Sequence, residues 1–187
     1  MGRKICYSYS KGENILKFRE LSLKGVFLIE LEKIEDERGF FARSWDKKEF
    51  EKNGMNSNLV QCNVSLNLKK GTFRGMHFQD KPYEETKIVR CTKGKIFDVI
   101  VDLRENSPSK NEWISIELTE SNHKMIYVPE GFAHGFQTLE ENSEVFYQMS
   151  VEYSPEYARI KKWNDHKFNI LWPILPPILS ERDKNGV

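Results

Sequence analysis

The stretch Thr72-Phe73-Arg74-Gly75-Met76-His77-Phe78-Gln79 places a cation, a glycine, an imidazole and an amide between large apolar side chains. Such a segment is too polar for an ordinary core strand and too apolar for a surface loop. The preceding Leu68-Lys69-Lys70-Gly71 is a hydrophilic turn closed by glycine. We therefore predict that residues 72–79 form the second strand of a hairpin whose first arm is Leu59–Asn67.

Alternate positions of the first arm carry polar side chains. They are Gln61, Asn63, Ser65 and Asn67. Because successive side chains of a strand point to opposite faces, these four share one face. A strand that lines a wet pocket has this pattern, and so does a solvent-facing sheet surface. The residues alone leave both interpretations open.

Length and composition favour one folded domain. The chain has 187 residues, of which 39% are apolar and 12% aromatic, enough to bury a substantial core. The 29 lysines and arginines nearly cancel the 28 aspartates and glutamates. No net charge therefore favours nucleic acid or an anionic membrane as a partner, and an anionic ligand must be met by a few placed cations. We expect a single domain over residues 1–187.

Neither the beginning of the chain nor its cysteines indicate export. No apolar run approaches the ~20 residues of a membrane span. Met1–Cys6 is followed by the polar stretch Tyr7–Asn14, where a signal peptide would have its apolar core. Cys6, Cys62 and Cys91 are an odd and widely spaced set, which argues against a disulfide scaffold and a structural zinc site. We expect a cytoplasmic protein.

The order of apolar runs and turn residues predicts an all-β fold. Residues 1–24 are interpreted as an N-terminal extension. Ten strands are predicted after it: Val26–Leu31, Phe40–Trp45, Leu59–Asn67, Phe73–Gln79, Lys87–Cys91, Ile96–Leu103, Trp113–Leu118, Met125–Val128, Phe132–Leu139 and Val145–Tyr153. Strands at such close spacing are typical of a sandwich or barrel. One helix is predicted over Asp46–Asn53, with Asp46 as its cap and Gly54 after its end.

Two histidines stand in unusual surroundings. His77 lies between Met76 and Phe78, where partial desolvation favours the neutral imidazole that can accept a proton near neutral pH. His134 lies in a second segment in which glycines flank polar groups among aromatics. A core histidine bonded to a backbone carbonyl is the alternative for each, and glycines also serve bulges at barrel corners.

The predicted strand Val145–Tyr153 places two phenols on one face. Tyr147 and Tyr153 are separated by an even number of positions, so both could point into one cavity. Half-buried tyrosines with a hydrated hydroxyl are the commoner explanation.

Two cations also have two interpretations each. Lys87 opens a predicted strand whose next same-face neighbours are apolar, and it either protects a sheet edge or meets a developing oxyanion. Arg38 follows two acids at a turn, and it either binds a phosphate or pairs with those acids.

The histidines do not suggest a metal site. The chain has four histidines, and no two of them form a His-x-His pair. We therefore expect no bound metal.

Several motifs in order resemble the dTDP-4-dehydrorhamnose 3,5-epimerase family. The similarity runs from about Gly25 to Asp183 and rests on five segments: Asp36-Glu37-Arg38-Gly39-Phe40-Phe41, Arg74-Gly75-Met76-His77-Phe78-Gln79, Phe97-Asp98-Val99, Pro129-Glu130-Gly131-Phe132-Ala133-His134-Gly135-Phe136 and Leu179-Ser180-Glu181-Arg182-Asp183. The resemblance implies a cupin-type (jelly-roll) β-barrel with short peripheral helices. It also implies a homodimer that acts on a nucleotide-linked 4-keto sugar without metal or cofactor.

The resemblance also assigns roles to individual residues. His77 would be the general base, with Asp183 orienting it. Lys87 would stabilise the enolate oxygen, and Tyr147 would be the acid on the opposite face. The implied substrate-binding residues are Arg38 and Arg74 for phosphates and sugar, Gln61 and Asn63 for the nucleoside, His134 for the sugar, and Tyr153 for stacking on the base.

Four positions depart from the usual family pattern. Arg43 stands where glutamate is common, Val64 where histidine is frequent, Ala158 where glutamate is usual, and Arg182 where lysine is usual. All four lie outside the proton-transfer set. Arg43 and Arg182 are therefore expected at the substrate, where they bear on its identity more than on the reaction.

The implied reaction fits these residue types. Protons at C3 and C5 are acidic because each is α to the C4 ketone, so one cation can stabilise both enolates. A regular strand would point Arg74 and His77 to opposite faces, so one pocket for both requires Gly75 to distort the strand. The alternatives are an epimerase acting at a single carbon, a 3,4-ketoisomerase, or a non-catalytic sugar-binding cupin.

Overall fold

The computed structural model describes residues 15–186. Thirteen strands and two short helices follow in chain order: β1 Leu16–Glu20, β2 Phe27–Leu31, β3 Ile34–Asp36, β4 Gly39–Phe41, α1 Lys47–Lys52, β5 Gln61–Asn67, β6 Phe73–Gln79, β7 Lys87–Lys93, β8 Lys95–Asp102, β9 Trp113–Thr119, β10 Met125–Val128, β11 Phe132–Thr138, β12 Ser143–Met149, β13 Ala158–Ile160 and α2 Glu181–Asn185. Neither helix is long and apolar enough to cross a membrane.

The strands form two antiparallel sheets and one separate hairpin. The first sheet has the order β1-β2-β10-β7-β12-β5, and the second has the order β13-β6-β11-β8-β9. Strands β3 and β4 pair with each other. Neighbours in each sheet are mostly distant in sequence, as in a jelly roll. The prediction of an all-β jelly-roll barrel with short peripheral helices is confirmed.

Apolar side chains fill three layers. Between the sheets, Val89, Ile100 and Phe136 belong to one buried cluster. The outer face of the first sheet packs under α1 through Phe50. The outer face of the second sheet is covered by the C-terminal segment, which contributes Trp172. The space between the sheets is therefore closed by side chains except where polar residues enter it.

The predicted helix is confirmed with its predicted cap. The Asp46 side chain accepts hydrogen bonds from the backbone N–H groups of Lys48 and Glu49 at the start of α1. Gly54 follows the helix with φ 73°. The helix buries Phe50, and so fixes one end of the first sheet.

The predicted hairpin of residues 59–67 and 72–79 is wrong. Strand β5 pairs with β12 in the first sheet, whereas β6 pairs with β11 and β13 in the second sheet. The glycine-closed turn between them carries the chain from one sheet to the other. The two strands therefore face each other across the space between the sheets, whereas in a hairpin they would lie side by side in one sheet. Short-range turn chemistry predicts the reversal but not the change of sheet.

Three boundaries also differ from the prediction. The strand predicted over Phe40–Trp45 is only the three-residue β4, and the strand predicted over Val145–Tyr153 ends at Met149. The predicted extension includes β1, which pairs with β2 from Leu16 to Glu20. Residues 1–14 of that extension lie outside the described residues.

Candidate active site

A bulge in β6 brings Arg74 and His77 to the same face of the second sheet. Arg74 is paired with Phe136 and His77 with His134, so three steps along β6 match two along β11. Gly75 has φ 149°, and a Cβ on it would lie 2.5 Å from the Cα of Gly135. Only glycine fits this conformation and this approach of two backbones. The predicted distortion at Gly75 is confirmed.

A small cavity between the two sheets collects most of the residues proposed for proton transfer. Its volume is about 60 Å³. The lining residues are Arg74, His77, Lys87, His134, Phe136 and Tyr147. Strands β6 and β11 supply one wall, and β7 and β12 supply the other. A base and an acid can therefore meet a ligand from opposite sides.

His77 forms a dyad with Asp183 from the C-terminal helix. The Nε2 atom of His77 lies 2.7 Å from Oδ1 of Asp183, whose side chain is buried. Ser180 caps α2: its Oγ donates to Oδ2 of Asp183 and accepts from the backbone N–H of Asp183. Because Nε2 faces the carboxylate, Nδ1 of a neutral ring is the nitrogen left to accept a proton.

Burial and hydrogen bonding shift the pKa of both members of this dyad. Burial lowers the pKa of His77 more than the hydrogen bond to Asp183 raises it, and the charge of Lys87 lowers it further. Burial alone would raise the pKa of Asp183, but the hydrogen bonds from His77 and Ser180 hold it below the usual range. The pair therefore rests as neutral imidazole and carboxylate, the state that a general base requires.

The lowered pKa of His77 predicts how activity depends on pH. A base must be neutral, so a lower pKa keeps it active to lower pH. We expect the acid limb of kcat/KM to have its midpoint below 6.5, the ordinary value for histidine. The measurement is a pH profile of turnover, with tyrosine and tryptophan fluorescence verifying the fold at each pH. A midpoint at or above pH 7 would contradict the assignment.

Lys87 lies on the same wall of the cavity as Tyr147 and is held there by a carboxylate. Its Nζ lies 2.8 Å from Oε1 of Glu85, and both side chains are less than one tenth exposed. Nζ also lies 3.3 Å from the backbone oxygen of His77. Sequence reasoning missed Glu85. Its spacing of two from Lys87, which puts the two side chains on one face of an extended segment, is the signal that could have found it.

Tyr147 stands on the wall opposite His77. Burial raises the pKa of its phenol, although the nearby charge of Arg74 opposes the shift. The phenol therefore stays protonated near neutral pH and can donate. Asn63 lies directly across the β5–β12 ladder from Tyr147. Because cross-strand partners point to the same side, the polar row of β5 faces the same side as Tyr147, which favours the pocket interpretation over a solvent-facing surface.

A second histidine–aspartate pair lies beside the first. Nε2 of His134 is 2.8 Å from Oδ2 of Asp98, and His134 is the cross-strand partner of His77. Asp98 is completely buried, and burial raises the pKa of its carboxyl. Asp98 was not predicted as a site residue, although it belongs to a quoted motif.

The predicted nucleoside side lies just outside the cavity. The prediction that Tyr153 shares a strand face with Tyr147 is wrong, because β12 ends at Met149. Tyr153 is instead 48% exposed in the following segment. Its hydroxyl accepts from Arg182, and its backbone N–H donates to the Gln61 side chain. A stacking surface, a cation and an amide are therefore brought together.

Two predicted substrate-binding arginines lie elsewhere in the subunit. Arg38 and Arg43 are on or next to the β3–β4 hairpin and do not line the cavity. Arg38 bonds Asp36, and Arg43 bonds Asp46.

No group of three histidine, cysteine, aspartate or glutamate side chains converges as a metal site among residues 15–186.

Comparison with known proteins agrees with this geometry. A family model described as dTDP-4-dehydrorhamnose 3,5-epimerase matches residues 20–187. The chain belongs to this family. The enzyme of that name from Sinorhizobium fredii is 43% identical over 169 residues, which are 90% of this chain and 87% of the relative. The members of this epimerase family are isomerases.

Two solved structures of relatives are informative. The Bacillus anthracis family enzyme with TDP and pyrophosphate bound has a TM-score of 0.89 and 40% identity, covering 92% of this chain and 98% of its own. ChmJ, a 3′-monoepimerase from Streptomyces bikiniensis in complex with dTDP-quinovose, has a TM-score of 0.82 and 27% identity, covering 89% of this chain and 84% of its own. The fold is therefore shared by double and single epimerases.

Proposed function

We propose that the protein inverts C3 and C5 of a nucleotide-linked 4-keto-6-deoxyhexose. The observation that carries this proposal is the cavity between the sheets, with His77 on one wall and Tyr147 and Lys87 on the other. A binding module has no need of an oriented base facing a protonated phenol. The TDP and the dTDP-sugars bound to relatives support the choice of a thymidine nucleotide.

The first step removes a proton next to the ketone. Nδ1 of His77 takes the proton from C3, the C–H electron pair forms a double bond to C4, and the carbonyl electrons move to the C4 oxygen. The ammonium of Lys87 stabilises this enolate, and Asp183 stabilises the imidazolium. Placing both groups in a buried cavity strengthens these interactions, because little water competes there.

The second step returns a proton from the opposite side. Tyr147 donates its phenolic proton to C3, the enolate electrons re-form the ketone, and the carbon is inverted. Solvent then reprotonates Tyr147 and takes the proton from His77. Because the C4 ketone also activates C5, the same groups serve the second carbon once the sugar turns in the pocket.

The remaining substrate contacts are assigned from where each residue lies relative to the cavity. We assign Arg74 to the phosphates or sugar and His134 to the sugar, since both line the cavity. Tyr153, Arg182, Gln61 and Asn63 are assigned to the nucleotide end.

Isotope exchange tests the function directly. We expect dTDP-4-keto-6-deoxyglucose incubated with the protein in deuterated water to gain deuterium at C3 and, more slowly, at C5, with inversion at both. NMR of the product measures both positions. Label at C3 alone would identify a single-carbon epimerase, and label at neither carbon with any nucleotide-linked 4-keto sugar would refute the proposal.

Tyr147→Phe should separate exchange from inversion. The enolate can still form in this variant and can be reprotonated on its original face, but the opposite proton donor is lost. We therefore expect deuterium incorporation to continue while inversion falls ~10²-fold or more. The comparison of label and stereochemistry in one NMR sample is the measurement, with Tyr157→Phe as the control. Normal inversion by Tyr147→Phe would remove this residue from the acid role.

We further propose that the protein is a cytoplasmic homodimer. Cys62 and Cys91 are free thiols, which agrees with a reducing compartment. The contact surface would be the exposed apolar patch on the outer face of β5 and its flanks. This patch consists of Val60, Val64, Leu66 and Leu68, which are 50%, 63%, 50% and 66% exposed. Monomers rarely expose such a contiguous row.

The position of the β3–β4 hairpin beside this patch supports the proposal that a second copy covers it. Phe146 on the same sheet face lies under Arg90. The ring of His123 packs against Phe40 of the hairpin. Burial and the charges of Lys33 and Arg90 lower the pKa of His123. The patch and the hairpin thus form one continuous surface. Arg38 of this hairpin, which the family motif assigns to the substrate, would then lie at the contact between the two copies.

Charge substitution in the patch tests the dimer. The double variant Val64→Glu, Leu66→Glu should sediment as a monomer where the wild type sediments as a dimer. The glutamates of the two copies would be buried against each other at the interface and would repel. Leu171→Glu, at a residue 79% exposed on another surface, is the control. A wild-type monomer at micromolar concentration, or a dimer that survives both glutamates, would contradict the proposal.

A further inference from the structure

Glu85 is a buried carboxylate that touches the cavity only through Lys87. Its Oε1 lies 2.8 Å from the Lys87 Nζ, and the two side chains are 7% and 8% exposed. Glu85 itself does not line the cavity, whereas Lys87 does. The reaction described above gives Glu85 no contact with the sugar.

The second oxygen of Glu85 is tied to a buried amide. Oε2 accepts from Nε2 of Gln79, and the same nitrogen lies within hydrogen-bond distance of the backbone oxygens of Tyr83 and Glu152. Oε1 of Gln79 accepts from the backbone N–H of Ser154. Glu85 is therefore fixed on one side by protein groups and presents its other oxygen to the lysine.

We infer that Glu85 is a positioning residue for the enolate-stabilising cation, holding the Lys87 ammonium aimed into the cavity. This inference rests on the proposed role of Lys87. A lysine on a four-carbon chain has many rotamers, and a fixed carboxylate selects one of them. A carboxylate in direct contact with a buried ammonium also stabilises it there.

The surroundings of Lys87 show why one carboxylate matters. Among the described residues, the charged or titratable groups around it include His77, Asp98, Tyr147 and Arg74, besides Glu85. Asp98 is engaged by His134, and the remaining neighbours are neutral or cationic when the site is ready to react. Glu85 is thus the anion in direct contact with the ammonium.

Loss of the carboxylate should act on the chemical step. In Glu85→Gln the side chain keeps its size, but the ammonium loses its counter-charge and its fixed direction. Because the enolate exists only after proton removal, we expect kcat to fall tenfold or more while KM changes less than about threefold. Glu84→Gln, the neighbouring glutamate without a contact to Lys87, is the matched control and should keep the wild-type kcat.

A double-mutant cycle separates this role from a structural one. If Glu85 acts through Lys87, then adding Glu85→Gln to Lys87→Met should change the remaining rate less than about twofold. The melting temperature supplies the second readout. Lys87→Met leaves the Glu85 carboxylate buried without its partner, and Glu85→Gln in that background should raise the melting temperature by about 6 °C or more.

Each outcome has a distinct meaning. A tenfold loss of kcat in Glu85→Gln that disappears in the Lys87→Met background supports the inference. An equal loss in both backgrounds, or a Glu85→Gln enzyme with the rate of Glu84→Gln, overturns it. A wild-type rate in Lys87→Met would instead refute the proposed function of Lys87.

Discussion

Replacing His77 by alanine is expected to abolish nearly all deuterium exchange at both carbons. In the proposed mechanism the imidazole starts the reaction, and general-base catalysis typically supplies ~10²–10⁴-fold. Exchange is measured by NMR in deuterated water with dTDP-4-keto-6-deoxyglucose.

The fold should survive this substitution. The His77 side chain is 42% exposed at the cavity, so its loss leaves no closed void in the core. His166→Ala, at an exposed histidine in the C-terminal segment, should exchange at the wild-type rate. Wild-type exchange in His77→Ala would assign the base to another residue.

Replacing Asp183 by asparagine is expected to have the next largest effect. An amide can donate to Nε2 of His77, which places the ring proton on Nδ1 and removes the lone pair that should accept the substrate proton. The imidazolium would also lose its stabilising charge. Since the analogous change in catalytic triads is severe, we expect kcat to fall ~10²–10⁴-fold.

A neighbour on the same helix provides the control. Glu181 also lies in the first turn of α2, but its side chain is 82% exposed and pairs with Lys184. Glu181→Gln should therefore leave the rate unchanged, while the melting temperatures of both variants stay close to wild type. Near-normal turnover in Asp183→Asn would show that the dyad geometry does not direct the proton.

Much of the site could be predicted because its residues lie in short contiguous motifs. The family resemblance placed Arg74 and His77 in one pocket, and Gly75 between them then predicted a distorted strand; the bulge opposite Gly135 is that distortion. The helix at Asp46 was predicted from its cap, a purely local signal. Local chemistry therefore accounts for these features.

The remainder depends on contacts between distant segments. Strand β5 carries apolar residues on its exposed face and polar residues inside, the reverse of the usual pattern, so its orientation could not be inferred from hydrophobicity. The pairing of β5 with β12 rather than β6 is also non-local. Glu85 and Asp98 acquire their importance only from the partners that the fold brings to them.

If Asp183 orients the base as proposed, the short helix α2 makes catalysis depend on local unfolding. Asp183 is the buried residue of this helix, which is fastened through Ser180, His77 and the bond from Arg182 to Tyr153. Elements with so little buried apolar surface open at much lower free energy than the sheets. Only molecules in which α2 is folded are then able to remove a proton. On heating, turnover should consequently fade while both sheets are still intact.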